Sequence, residues 1–306
     1  MSEATESSEP PLCQPPNSDL TPPKFVAPPG AWDCHLHIIG PPEQYPHVPN
    51  RSYTPVVAHM KHYRCVTAAL RVDHAVVVQP SFYGTDNRCA RDAILASKGR
   101  WRGVAVIDPA IKEPELTDLH ETGFRGVRIN LLFKGGLAME VLEQIARRIQ
   151  PLSWHVQLLV DGRDLPELSP RLRKLPVPFV VDHMGHLPAS VGVHHPGFQT
   201  LLQLAREGCW VKLSGPYRIS GQPYPYDDVV PFARALVEAA PSRMVWGTDW
   251  PHPAVSVPIP RDGDLMDLLP IWIPDAETRR RVLVENPAEL YGFSDSWQAG
   301  GFRGRH

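Results

Sequence analysis

Trp32-Asp33-Cys34-His35-Leu36-His37-Ile38 alternates polar and apolar side chains and stops at Ile39-Gly40. Alternation at period two marks a β-strand with two distinct faces. Asp33, His35 and His37 are therefore expected to project to one side. Seven further short runs rich in β-branched residues follow: Ala75 to Gln79, Gly103 to Ile107, Gly126 to Asn130, His155 to Val160, Phe179 to His183, Trp210 to Leu213 and Met244 to Thr248. Helical patterns fall between them. Pro55 to Leu70 follows Thr54 as a cap, Asn87 to Ser97 follows Asp86, and Leu137 to Ile149 carries an apolar stripe; Pro196 to Ala205, Asp227 to Glu238 and Asp275 to Leu283 complete the set. Eight strands alternating with helices predict an α/β fold, a closed (β/α)8 TIM barrel. A doubly wound open sheet would offer fewer strands and a Gly-rich first turn, which is absent.

The remaining chain divides around that barrel. Residues 1–29 hold eight prolines among Ser and Glu. Such a segment satisfies neither helix nor sheet ladders, so an extended Pro-rich N-terminal arm is expected, ordered where it lies on the barrel. Residues 30–293 form the barrel, and 294–306 are polar and Gly-rich, expected to fray. The 306 residues are 42% hydrophobic and 21% charged, with a formal net charge of −2. That balance suits a large soluble core and argues for neither nucleic acid nor membrane as a partner. Cys13, Cys34, Cys65, Cys89 and Cys209 form no CxxC pair, and the acidic start is unlike a signal peptide. Free thiols and a cytoplasmic location are expected.

In a (β/α)8 barrel the active site lies at the C-terminal ends of the strands. His35 and His37 arrive there from the first strand. A lone histidine would be read as structural, but two at i, i+2 point to chemistry. On the sixth strand His183 is expected inward with Phe179 and Val181, and Asp182 on the other face. Asp249 ends the eighth strand in Trp246-Gly247-Thr248-Asp249-Trp250-Pro251-His252-Pro253, where a carboxylate after an apolar strand is costly unless used. Arg128 should face the barrel mouth, beside either a substrate carboxylate or an internal acid. Lys134 and Arg218 sit in later loops, Ser81 at the end of the second strand, and Tyr53 in the loop after the first. His155 begins the fifth strand, at the wrong end for catalysis, and reads as structural. His252 lies near the site without a role.

Asp33-Cys34-His35-Leu36-His37, Val181-Asp182-His183-Met184-Gly185 and the Trp246 to Pro253 stretch together resemble the amidohydrolase superfamily, of the amidohydrolase-2 type. The nearest likeness is to lactonases acting on 2-pyrone-4,6-dicarboxylate, sulfomuconolactones and sugar-acid lactones. Gln79-Pro80-Ser81-Phe82-Tyr83-Gly84, Val106-Ile107-Asp108-Pro109 and Arg125-Gly126-Val127-Arg128 extend the likeness, which spans roughly residues 28–293. It implies a hydrolase opening a small anionic lactone, with Asp249 as general base and His35, His37 and His183 polarising the carbonyl. Arg128, Arg218, Ser81 and Tyr53 fall at substrate-binding positions. Lys134 and His186 stand where the pyrone-dicarboxylate enzyme has arginines, so a bidentate fork is replaced by a point charge and an imidazole.

Metal is a separate question. His35, His37, His183 and Asp249 could hold a single Zn²⁺ or Mn²⁺. Metal-dependent members of the superfamily add a further ligand near strand four or five, where this chain has Arg128 and Gln157. No metal and no other cofactor is the expectation. A metal-dependent decarboxylase of an aromatic or unsaturated acid is the rival enzyme, and a non-catalytic ligand-binding relative the rival of another class. A homo-oligomer is compatible with all three.

Overall fold

A computed structural model describes residues 9–133 and 139–292. Eight strands form one sheet with each strand parallel to the next in chain order: β1 (Trp32–Leu36), β2 (His74–Val78), β3 (Trp101–Ala105), β4 (Phe124–Asn130), β5 (His155–Leu159), β6 (Phe179–Val181), β7 (Trp210–Leu213) and β8 (Met244–Trp246). The chain beyond β8 brings the sheet round onto β1. Asp249 N–H donates to the His35 carbonyl and His37 N–H to the Trp250 carbonyl, both at 2.7 Å. Gly247 permits this approach, because a Cβ there would stand 2.6 Å from His35 N. The expected TIM barrel is the observed fold.

Twelve helices surround the strands: α1 (Met60–Leu70), α2 (Arg88–Ala96), α3 (Glu113–Thr122), α4 (Leu142–Ile149), α5 (Leu165–Leu172), α6 (Pro196–Arg206), α7 (Pro216–Ile219), α8 (Val230–Ala239), α9 (Asp262–Asp267), α10 (Leu269–Trp272), α11 (Ala276–Arg280) and α12 (Asn286–Tyr291). Six were not expected: α3, which is mostly polar, α5, which contains Pro166 and Pro170, and the short α7, α9, α10 and α12. Thr54 caps nothing. Helix α1 begins only at Met60, and Thr54 instead bridges to Leu12 of the arm.

Alternation along the strands sorts two apolar layers. Val127, Ile129, Val156, Leu158, Val211 and Leu213 face the helices in the main core. Trp32, Cys34, Val76, Val78, Val104, Val180, Trp210 and Val245 fill the barrel interior. Tyr291 of α12 joins them, packing on Trp32 and His155 at the start of their strands. His155 is thus buried far from the strand ends, in the structural position expected of it.

Two strands present different faces from those expected. On β1 the register advances three residues, Asp33 to Leu36, while β2 advances two, Ala75 to Val77. This bulge reverses the faces. His35 and His37 point inward, but Asp33 turns outward to accept from Tyr63 of α1 (2.7 Å) and from both Thr248 N (2.9 Å) and Thr248 Oγ1 (2.5 Å). On β6 the interior residues are Val180 and Asp182, while Val181 faces the helices. His183 still reaches the mouth, because the chain leaves the strand there at φ +48°.

The arm runs across the barrel mouth. Cys13 N–H donates to Thr54 O and Thr54 N–H to Pro11 O, each at 2.8 Å. Gln14 Nε2 donates to Val257 O (2.9 Å) and Asn17 Nδ2 to Ile259 O (3.1 Å). The arm therefore ties the loop after β1 to the loop after β8. Among the described residues no helix is long and apolar enough to cross a membrane, and all five cysteines are free thiols.

Candidate active site

Three imidazoles from two segments meet at one oxygen of a third. His35 Nε2, His37 Nε2 and His183 Nε2 lie 3.7, 3.6 and 3.9 Å from Asp249 Oδ1. All four residues are buried, and among the described residues neither His35 Nε2 nor Asp249 Oδ1 has a hydrogen-bond partner. Asp249 adopts φ +67°, a left-handed conformation that costs a non-glycine residue on the order of 1 kcal/mol and recurs where function demands it.

The far side of the carboxylate is fully engaged. Oδ2 accepts from Arg218 Nε at 2.7 Å and from the Tyr217 hydroxyl at 2.6 Å. Burial pushes the Asp249 carboxyl up, but Arg218 and His183 pull it further down, so it rests well below the usual carboxylate range. It is an ionised base with one oxygen pinned and the other aimed at three rings. Burial lowers all three imidazoles, His35 to about 3 with Lys212 adding to the effect, so they are neutral at pH 7.

Behind the mouth lies a buried polar layer. Asp182 Oδ2 accepts from Gln157 Nε2 at 3.0 Å and from Arg128 Nη2 at 3.4 Å. Lys212 Nζ reaches Gln157 Oε1 (2.7 Å), the Cys34 carbonyl (2.9 Å) and His35 Nδ1 (3.2 Å), with Asp182 Oδ1 at 3.5 Å. His183 Nδ1 lies 2.9 Å from Ser214 Oγ, and Gly215 beyond it has no room for a Cβ, which would touch that ring at 3.0 Å.

The cavity in front is narrow, about 10 Å³, close to the room that a single water needs. Its wall combines Asp249, His37 and His183 with Arg128, Arg218 and His186. Tyr53, Phe133, Leu159 and Pro253 supply the apolar part, with Tyr53 and Phe133 edge to face at 5.5 Å. Ser81 is buried at the start of a 3-10 turn and is not on this wall. Lys134 lies outside the described residues.

Several participants escaped sequence reading. Lys212 shares a face with Trp210 and Ser214, and simple alternation along β7 could have placed it inside. Tyr217 sits beside Arg218 in the short α7, which carried no signal. Its hydroxyl also lies 2.9 Å from His252 Nδ1, and His252 Nε2 lies 3.2 Å from Asp262 Oδ1. The histidine without an assigned role thus backs the base through Tyr217.

A family model described as amidohydrolase matches residues 32–293. The 2-pyrone-4,6-dicarboxylate hydrolase of Comamonas testosteroni is 41% identical over 281 residues, covering 88% of this chain and 92% of that protein. The 4-sulfomuconolactone hydrolase of Hydrogenophaga intermedia is 38% identical over 288 residues, covering 92% and 95%. The solved structure of a probable 2-pyrone-4,6-dicarboxylic acid hydrolase from Acinetobacter baumannii, with citric acid bound, superposes with a TM-score of 0.76 at 27% identity, covering 86% of this chain and 100% of that one.

Proposed function

The chain belongs to the amidohydrolase family, and from that premise we propose that it hydrolyses the ring ester of a small, unsaturated, anionic lactone. The observation that carries this reading is the ionised Asp249 carboxylate, with one oxygen pinned by Arg218 and Tyr217 and the other facing three neutral imidazoles.

The steps follow from that arrangement. Asp249 Oδ1 takes a proton from water as the water oxygen bonds to the lactone carbonyl carbon. The carbonyl π electrons move to its oxygen, which faces the buried rings. The ring C–O bond then breaks, and the leaving oxygen receives the proton back from Asp249, restoring the base. An enol is a good leaving group, which eases this last step. Arg128 and His186, on the cavity wall, hold the substrate's acid group.

The wall also argues for an unsaturated ring over a sugar lactone. Its apolar part is Tyr53, Phe133, Leu159 and Pro253, which carry one hydroxyl among them. Hydroxyls of a polyhydroxylated lactone turned toward that part would lose their partners, a cost of about 1–3 kcal/mol for each buried polar group. The sulfomuconolactone and pyrone relatives act on ligands of the favoured kind, according to their names.

The donor types His35, His37 and Asp249, whose ligand atoms cluster within 4.8 Å, suit zinc. Their surroundings do not. A metal-ligating histidine gives its second ring N–H to an acceptor, whereas His35 Nδ1 pairs with the Lys212 ammonium, a donor, at 3.2 Å, and Asp182 Oδ1 at 3.3 Å is not hydrogen-bonded to it. Asp249 is already neutralised by Arg218. We therefore include metal independence in the proposal, together with a cytoplasmic setting for the five free thiols. Product mass from a panel of lactone mono- and dicarboxylates and sulfonates, with and without chelator, tests it: gain of water supports lactonase action, and loss of CO₂ with chelator sensitivity supports the decarboxylase instead.

A further inference from the structure

The hydrogen-bond partners of His35 and His37 on their inner nitrogens differ in kind. His37 Nδ1 lies 2.7 Å from the Val78 carbonyl oxygen, an atom that can only accept. The His37 proton is therefore on Nδ1, and its Nε2 presents a lone pair to the site. His35 Nδ1 lies 3.2 Å from Lys212 Nζ. An ammonium can only donate, and its two other hydrogens are matched by the Cys34 carbonyl and Gln157 Oε1. Asp182 Oδ1, 3.3 Å from the same ring nitrogen, makes no hydrogen bond to it. His35 thus carries its proton on Nε2 and presents an N–H to the site.

We propose that Lys212 is a positioning residue that holds His35 and His37 in opposite tautomers, making His35 the donor to the carbonyl oxygen and His37 an acceptor for the attacking water. The inference rests on the lactonase reading and divides the work of its imidazoles. His37 Nε2 and Asp249 Oδ1 are two acceptors facing each other at 3.6 Å. One water satisfies both by donating a hydrogen to each, which aims its lone pair away from them toward the carbonyl carbon. The O–H directed at Asp249 is the one transferred, and the other stays on His37 Nε2 while the new C–O bond forms. His35 Nε2–H meets the oxyanion, a contact only the donor tautomer can make. Two neutral rings from one strand thereby do opposite work, and the difference comes from a Lys on β7 and a carbonyl on β2.

The test is the tautomeric state itself, read from two-bond 1H–15N spectra of the full chain labelled with 15N-histidine at neutral pH, with His35→Gln and His37→Gln supplying the assignments. The expected result is His37 protonated on Nδ1 and His35 on Nε2. In Lys212→Met the His35 proton moves to Nδ1, facing Asp182, and kcat falls about 10²-fold, the scale of one lost oxyanion donor, with KM nearly unchanged. Lys212→Gln, which keeps one N–H donor, restores part of the rate. The same tautomer on both wild-type rings, or a His35 ring unaltered in Lys212→Met, overturns the proposal. Should Lys212→Met not fold, the wild-type spectrum and Lys212→Gln still decide. Because the spectra need no turnover, opposite tautomers in a protein that opens no lactone would refute the lactonase reading alone.

Discussion

Asp249 is the residue on which the chemistry turns, and its neighbours give it two unequal oxygens. Replacing it by Asn keeps the shape and removes the base, so Asp249→Asn should lower kcat by at least about 10³-fold while substrate still binds, as steady-state rates and a binding isotherm would reveal. Retention of the wild-type rate would dismiss the general-base role. Tyr217→Phe removes one donor from Oδ2 and leaves Arg218 in place. A hydrogen bond to a charged group is worth about 1.5–3 kcal/mol, so kcat should fall roughly tenfold or more with the fold intact. The sequence already pointed to Asp249, His35, His37 and His183 as a set, because each lies at or near the C-terminal end of a strand expected from the pattern. It could not show Tyr217 or the unlike partners of the two rings, since these depend on contacts more than thirty residues apart. Asp33 misled for a related reason. Alternation assigns it to the histidine face, and only the bulge, invisible in composition, turns it out to Tyr63.

At the scale of elements, the strand count was legible and the strand ends were not. His183 and Asp249 continue their strands in the alternation of the sequence, yet both adopt positive φ beyond the last ladder bond, and this turn, not the pleat, aims them. The polar α3 and the Pro-containing α5 were missed because each breaks the amphipathic pattern while the sheet beneath supplies the packing. Closure of β8 onto β1 depends on Gly247. Gly247→Ala forces a Cβ against His35 N and should cost about 1–3 kcal/mol, as overpacking usually does, visible as a melting temperature lowered by several degrees. An unchanged melting curve would mean that the approach is less tight than described. The arm makes its own prediction. Removing residues 1–19 breaks its bonds to Thr54, Val257 and Ile259, which hold the loops carrying Tyr53 and Pro253. KM should rise several-fold with a smaller change in kcat. A wild-type KM would leave the arm a passive leader.

At the scale of the whole molecule, the barrel carries a charged layer inside an apolar shell. Burial pushes the Asp182 carboxyl up, but the Lys212 and Arg128 cations beside it bring it well below the ordinary range, and Asp249 behaves alike. A carboxylate whose folded pKa is depressed adds stability above its unfolded value near 4, and that stability is lost as pH falls through the folded value. The melting temperature should therefore hold between about pH 6 and 8 and drop steeply below about pH 4, as calorimetry across pH would show. A flat profile through that range would deny the two buried carboxylates their ionised state. The (β/α)8 architecture itself was readable from eight runs of alternating residues because each strand must bury one face on helices. Of the polar interior layer only Arg128 was read as internal, although alternation along β5 and β7 also turns Gln157 and Lys212 inward.

The most direct measurement is the mass of the product formed from an unsaturated lactone acid in water enriched with 18O, with chelator present, for the wild type and for Asp249→Asn. The account predicts one added water, its heavy oxygen in the new carboxylate, for the wild type, and almost no product from the variant. Release of CO₂, or a reaction that stops when chelator is added, would contradict it.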